Sequence, residues 1–168
     1  MPNTFTLIAS NTVSSAVSSI TFSSIPATYT DLVIKMSARK ANNDYDIQLK
    51  FNGSSSSYSG RYLEGNGASA SSGSYSSQSQ AWTANASTNN QTASTFGNSE
   101  IYIPNYAGSN NKSWSADSVN ETNGTTAYSA LHAWLWSNTA AITSIELNAN
   151  GSTFVQYSTF YLYGILKS

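Results

Sequence analysis

The sequence contains no cysteine and few charged residues. Without Cys, the chain has no disulfide framework and no thiol chemistry. Charged residues make up 9% of the 168 residues, against about 25% in an average soluble domain. With only 7 Lys and Arg and a net charge of −1, the chain cannot build the basic surface that duplex nucleic acid requires. We therefore expect no nucleic-acid partner.

Long apolar runs are also missing. No stretch approaches the roughly 20 apolar residues of a transmembrane helix. The first residues lack the basic segment and the apolar run of a signal peptide. We therefore expect no membrane partner and no cleaved leader.

The chain is instead rich in aromatic, hydroxyl and amide side chains. Its 11 Tyr, 6 Phe and 4 Trp argue against disorder, which requires few aromatic residues and a high net charge. A length of 168 residues suits one domain with one sizeable hydrophobic core. We therefore expect a single domain over residues 1–168.

Alternation with a period of two is the dominant pattern, and it predicts β-strands. Apolar residues occupy every second position from Leu32 to Ala38 and from Ile47 to Phe51, which is typical of half-buried antiparallel strands. No stretch has the pattern of a capped amphipathic helix. We predict an all-β, antiparallel, jelly-roll-like sandwich of about eight to ten strands. Further strands are predicted at Phe5–Ala9, Ser18–Ser23, Glu100–Tyr106, Lys112–Val119, Tyr128–Trp136, Ser144–Ala149 and Thr153–Ile165.

Residues 53–80 form a tract of Ser and Gly interleaved with tyrosine. Such a composition is typical of a flexible linker. Because strong strands flank the tract, we predict a long loop that leaves and re-enters a single domain. Short strands are predicted within it or at its end, at Tyr58–Leu63 and Gln80–Ala84. Loops of this length are usually functional or disordered, and we expect this one to contact a partner.

The stretch from Glu100 to Asn120 predicts two strands joined by a Gly-Ser-Asn-Asn turn. Pro104 has no N–H group to donate to a sheet. Its strand is therefore predicted either to lie at a sheet edge or to end near the proline.

Catalytic and metal-binding patterns are weak. His132 is the single histidine, so no second histidine or cysteine can complete a zinc site with it, and no Gly-x-Ser-x-Gly elbow occurs. Asp44 and Asp46 follow two asparagines and could contribute oxygen ligands to Ca²⁺, but the spacing is not that of an EF-hand. We favour a solvated turn at this position, and we expect neither enzymatic activity nor a cofactor.

The strand predicted at Tyr128–Trp136 is apolar on both faces. Leu131, Ala133 and Leu135 line one face, and large rings line the other. One face is expected to meet the opposite sheet, and the other a neighbouring subunit or a covering loop. We assign the ring face to subunit contacts, together with tyrosines of the Ser/Gly tract. The predicted interface residues are Tyr58, Tyr62, Tyr75, Tyr128, His132, Trp134 and Trp136.

A carbohydrate platform is the alternative role for the aromatic residues. Exposed rings stack on sugar faces, and neighbouring amides bind sugar hydroxyls, although the same rings also serve cores and interfaces. Tyr106 and Trp114 are the predicted glycan contacts.

Three stretches together resemble small structural proteins of tailed bacteriophages, including marine and cyanobacterial phages. They are "FGNSEIYIPNYAGSNNKS" (Phe96–Ser113), "LWSNTAAITSIEL" (Leu135–Leu147) and "GSTFVQYSTFYLYGI" (Gly151–Ile165). The earlier stretches Tyr29–Arg39 and Ile47–Gly53 also match, so the resemblance covers most of the chain except the Ser/Gly tract.

The resemblance implies a non-enzymatic β-sandwich that is made in the host cytoplasm and incorporated into the virion. We expect a capsid decoration (cement) protein on the outer surface of the head, which forms a homotrimer and binds the major capsid protein. The alternative is a tail- or head-fibre module that binds host-surface glycans.

Overall fold

The computed structural model of the protein describes residues 4–124 and 127–166. These residues form twelve β-strands and no helix, and therefore no helix that could cross a membrane. The all-β prediction is confirmed, with more strands than expected. The strands are β1 (Phe5–Thr12), β2 (Ser19–Phe22), β3 (Asp31–Ala38), β4 (Asp46–Phe51), β5 (Tyr58–Gly65), β6 (Ala70–Gln78), β7 (Ala81–Asn85), β8 (Gly97–Ile103), β9 (Lys112–Val119), β10 (Ser129–Trp136), β11 (Ile145–Asn148) and β12 (Thr159–Ile165).

Two antiparallel sheets pack face to face. The large sheet has the order β1-β12-β3-β8-β9-β10-β5-β6, and the small sheet has the order β2-β11-β4-β7. If β5, β6, β9 and β10 are set aside, four strands remain in each sheet. In chain order, the first of these eight strands pairs with the last (β1 with β12), the second pairs with the second-last (β2 with β11), and the same pattern continues inwards. This nested order of eight strands in two sheets is that of a jelly roll.

The other four strands are two hairpins inserted into the jelly roll. The β5–β6 hairpin lies between β4 and β7 in the chain, and the β9–β10 hairpin lies between β8 and β11. The two hairpins meet through antiparallel pairing of β10 with β5, in which Leu131 lies opposite Leu63. They lengthen one side of the large sheet by four strands, and we call this part the extension.

The Ser/Gly tract is largely β-structure, so the prediction of a long loop over residues 53–80 is wrong. Ser and Gly have low β-propensity, but here the glycines make room for aromatic rings. A Cβ at Gly60 would lie 2.4 Å from the indole of Trp134, and one at Gly73 would lie 2.5 Å from the ring of Tyr62. The predicted strands near Tyr58–Leu63 and Gln80–Ala84 correspond to β5 and β7.

The core lies between the two sheets. As the alternation predicts, Leu32, Ile34 and Met36 of β3 are buried, in the same core as Leu49 and its neighbours in β4. Pro104 follows directly after the end of β8, which is a central strand. Its strand therefore ends at the proline and does not lie at an edge.

Candidate functional site

The inner face of the extension is a column of aromatic rings. Tyr75 of β6 stacks on Trp82 of β7 and on Trp134 of β10, with ring centroids 5.2 Å from each, and the centroids of the two tryptophans are 6.4 Å apart. Trp134 stacks in turn on Trp114, at 6.3 Å. The indole Nε1 of Trp134 donates to the carbonyl oxygen of Trp82 (3.0 Å). The column fixes the β5–β6 hairpin to both sheets.

Four of the predicted interface residues lie inside the protein. Tyr58, Trp134 and Trp136 are fully buried, and His132 is 8% exposed. Tyr58 stacks on Trp136 at 6.2 Å and accepts the backbone N–H of Phe51 at its hydroxyl oxygen (2.8 Å). Tyr58 and Trp136 pack against Phe51 of the small sheet, and Trp134 packs against Trp82, so these three side chains belong to the protein's own core.

The other three predicted interface residues are half-buried. Tyr62 and Tyr75 lie on the inner face of the hairpin, with ring centroids 5.7 Å apart. Tyr128 packs against Tyr45, at 4.7 Å. The structure thus brings most of the predicted residues into one cluster, but the cluster faces inward.

The two predicted glycan contacts are also buried. Trp114 is enclosed between the sheets and donates its indole N–H to Thr83 Oγ1 (2.9 Å). Tyr106 is fully buried, and its hydroxyl donates to the carbonyl oxygen of Pro26. Since neither ring presents a face to solvent, neither can stack on a sugar, and the assignment of these two residues is corrected.

Among the described residues, neither ring nitrogen of His132 forms a hydrogen bond, and the ring centroid of His132 lies 6.5 Å from that of Tyr62. Burial lowers the pKa of His132 to about 4, because water no longer stabilises the charged form. The imidazole is therefore neutral near pH 7, and no group in the described part of the chain orients it as a general base would need.

Groups of the protein itself contact the polar atoms of the segment around Asp44 and Asp46. The Lys40 ammonium is buried, donates to the backbone carbonyl of Asp46 (2.7 Å) and lies 3.5 Å from Asp44 Oδ1. The side chain of Asn150 donates to Asp44 Oδ2. A Ca²⁺ ion would have to displace both groups. No cluster of three or more potential metal ligands occurs in residues 4–124 and 127–166.

Burial raises the pKa of Asp46 to about 6, and the nearby carboxylates of Asp44 and Glu64 add to the effect. The Lys40 ammonium opposes the shift, and burial lowers the pKa of Lys40 itself. Burial therefore disfavours the charged forms of both Asp46 and Lys40, and the segment is not an open acid–base pair.

Three cations that sequence reasoning did not single out hold loops in place. Arg39 donates to the carbonyl oxygens of Gln91, Thr92 and Thr95 (2.9–3.1 Å). Lys40 holds the segment before β4, and Lys112 donates to the carbonyl oxygens of Gly108 and Asn110 (2.7 and 2.5 Å). The sequence contains few cations, so a Lys or Arg directly beside a turn-rich segment could have indicated that its side chain holds that segment.

The outer face of the extension carries an exposed aliphatic patch. Leu63 is 53% exposed, Leu131 59% and Val119 44%, and the first two lie directly opposite each other on β5 and β10. We call Leu63, Leu131 and Val119 the leucine face. The two-sided apolar pattern of β10 predicted such a surface, but the structure turns the rings inward and leaves the leucines outside.

Comparison with known proteins adds no identification: no protein-family model matches the sequence, and no curated protein matches it significantly.

Proposed function

We propose that the protein is a non-enzymatic structural protein of a phage virion and that it decorates the outer surface of the capsid. The resemblance of several strands to phage structural proteins supports this role. The jelly roll adds support at the level of the fold, since viral capsid and lectin domains share it. A fold alone does not establish a function, so the proposal depends on the surface.

The observation that carries the proposal is the edge strand β6. Its nine residues include no charge and no proline, and it is the last strand of the large sheet. Proteins usually protect such edges with Lys, Pro or a covering segment, because unpaired N–H and C=O groups can pair with a strand of another chain. Here an irregularity near Ser77 disturbs only one end.

The edge strand is also anchored to the core. Tyr75, in the middle of β6, packs against both Trp82 and Trp134. A strand that is already ordered loses little conformational entropy on binding. The proposed contact is strand addition between β6 and the major capsid protein, repeated over many copies so that modest interfaces together stabilise the shell.

Capsid binding tests this proposal. Purified protein is added to capsids that lack it, and bound protein is measured after sedimentation. Ser76→Lys places a charge on β6 and should reduce binding at least about tenfold. Ser10→Lys places the same charge on β1, the opposite edge of the sheet, and should bind like the unmodified protein. Equal binding by both variants contradicts the assigned contact, and no binding by any form contradicts the function.

A fibre module that binds host-surface glycans is the second candidate. Tyr161 and Tyr163 of β12 are half-buried on the outer face and stack at 6.4 Å, and the ring of Phe5 lies 6.3 Å from Tyr163. This row of rings is accessible, unlike Tyr106 and Trp114. A glycan array with the unmodified protein and with Tyr161→Ala distinguishes the two candidates, since only a glycan-binding module gives signals that the substitution removes.

A further inference from the structure

The leucine face is framed by two opposite charges. Asp117 of β9 and Leu63 of β5 lie on either side of Leu131 in the same row of the sheet, and Arg61 lies one row away on β5. Asp117 and Arg61 are exposed, and neither forms an ion pair within residues 4–124 and 127–166. Within the described part of the chain, the guanidinium of Arg61 donates only to the carbonyl oxygen of Gly60, its own neighbour (2.9 Å).

A hollow lies next to the leucines. It has a volume of about 330 Å³, and its lining includes Ser59, Arg61, Ser113, Ala133 and Leu135. Leu131 and Ala133 are successive outward positions of β10, so the hollow is adjacent to the leucines. A twofold rotation that places the leucines of two copies together leaves the hollow beside the apolar contact.

We propose that two copies of the protein associate through the leucine face about a twofold axis. Leu63 and Leu131 of both copies form the apolar centre. Since Arg61 and Asp117 lie on opposite sides of this centre, the twofold axis brings Arg61 of each copy to Asp117 of the other. Two ion pairs then flank the apolar contact.

The proposal goes beyond the capsid role, because such a pair forms in solution whether or not the protein binds a capsid. It also replaces the homotrimer expected from the resemblance. The four strands of the extension, each about eight residues long, have a projected area of roughly 500 Å² in each copy. An interface of this area lies at the low end for specific interfaces. We therefore expect a dimer that dissociates at micromolar concentrations.

Analytical ultracentrifugation of the full chain tests the association. With increasing concentration, the mass should rise from 17.9 kDa towards twice that value. Leu131→Asp should remain monomeric throughout. Leu7→Asp is the matched control, because Leu7 is 52% exposed at the opposite end of the same sheet, and it should dimerise normally. A monomer at all concentrations, a trimer, or equal effects of both substitutions would overturn the proposal.

A charge exchange tests the geometry. Arg61→Glu and Asp117→Arg, each alone, should weaken dimerisation about tenfold or more, because each variant brings like charges together twice. An equimolar mixture of the two variants should regain the affinity, since opposite charges then meet at both positions. Unchanged thermal melting of the single variants shows that they are folded. If the mixture associates no better than either variant alone, the proposed pairing of Arg61 with Asp117 is wrong.

Discussion

Gly60 lies directly under the indole ring of Trp134: a Cβ at position 60 would lie 2.4 Å from Cδ2 of the ring. The two residues belong to different inserted hairpins and are opposite each other in the β10–β5 pairing. Their contact lets the Ser-rich hairpin fold against the jelly roll, since the glycine leaves space for the ring that Tyr75 stacks on.

Gly60→Ala should therefore destabilise the protein by about 2 kcal/mol, because the added methyl group forces the indole out of its position in a close-packed core. Chemical denaturation followed by tryptophan fluorescence measures the change. Gly65→Ala is the matched control on the same strand. Its Cβ would meet nothing closer than 3.8 Å, so its effect should stay within about 0.5 kcal/mol. Equal effects of the two substitutions would contradict the role of Gly60.

Lys112→Met should destabilise the protein by about 2 kcal/mol. The buried ammonium satisfies backbone carbonyls of the turn before β9, and its removal leaves those acceptors without donors. Lys35→Met is the control, because the Lys35–Glu100 pair (2.7 Å) is about half exposed, and such surface pairs contribute little. Thermal melting compares the two variants. A loss no larger for Lys112→Met than for Lys35→Met would show that Lys112 does not hold the turn.

His132 and Asp46 should have opposing effects on stability as pH falls. The pKa of His132 is lowered from 6.5 to about 4, so the unfolded chain takes up a proton first and folding weakens between about pH 6.5 and 4. Over this pH range, the free energy of unfolding falls by about 3 kcal/mol because of His132. The pKa of Asp46 is raised from 3.8 to about 6, so the folded state takes up a proton first and folding strengthens over nearly the same range.

We therefore expect a nearly flat pH profile for the unmodified protein between pH 6.5 and 4. His132→Phe should become more stable over this range as pH falls, whereas Asp46→Asn should lose stability more steeply than the unmodified protein. Urea denaturation at intervals of pH measures all three profiles. If the stability of all three proteins changed with pH in the same way, the pKa values of His132 and Asp46 would not be shifted as described.

The parts of the fold that follow from local pattern were predictable. In β4, apolar and polar residues alternate strictly, and in β3 an apolar residue occupies every second position from Leu32 to Ala38, although Val33 is apolar as well. This pattern specifies the strand and its buried face. β10 is apolar on both faces, so the sequence indicates two contact surfaces without deciding which one faces inward. That choice depends on β7 and the β5–β6 hairpin, whose rings meet Trp134 across the fold.

The Ser/Gly tract was not predictable from its composition. Glycine in a strand usually weakens it, and only the positions of Trp134 and Tyr62 in space show why Gly60 and Gly73 are required. The same holds for Tyr106 and Trp114, whose burial comes from distant segments around Pro26 and Thr83.

The copy number in the virion is the most direct test of the proposed function. Particles of the phage that encodes the protein are purified, and the protein is quantified by mass spectrometry against the major capsid protein. A decoration protein should be present in hundreds of copies, in a fixed ratio to the capsid protein. A handful of copies per particle, or none, would contradict the assignment to the capsid surface.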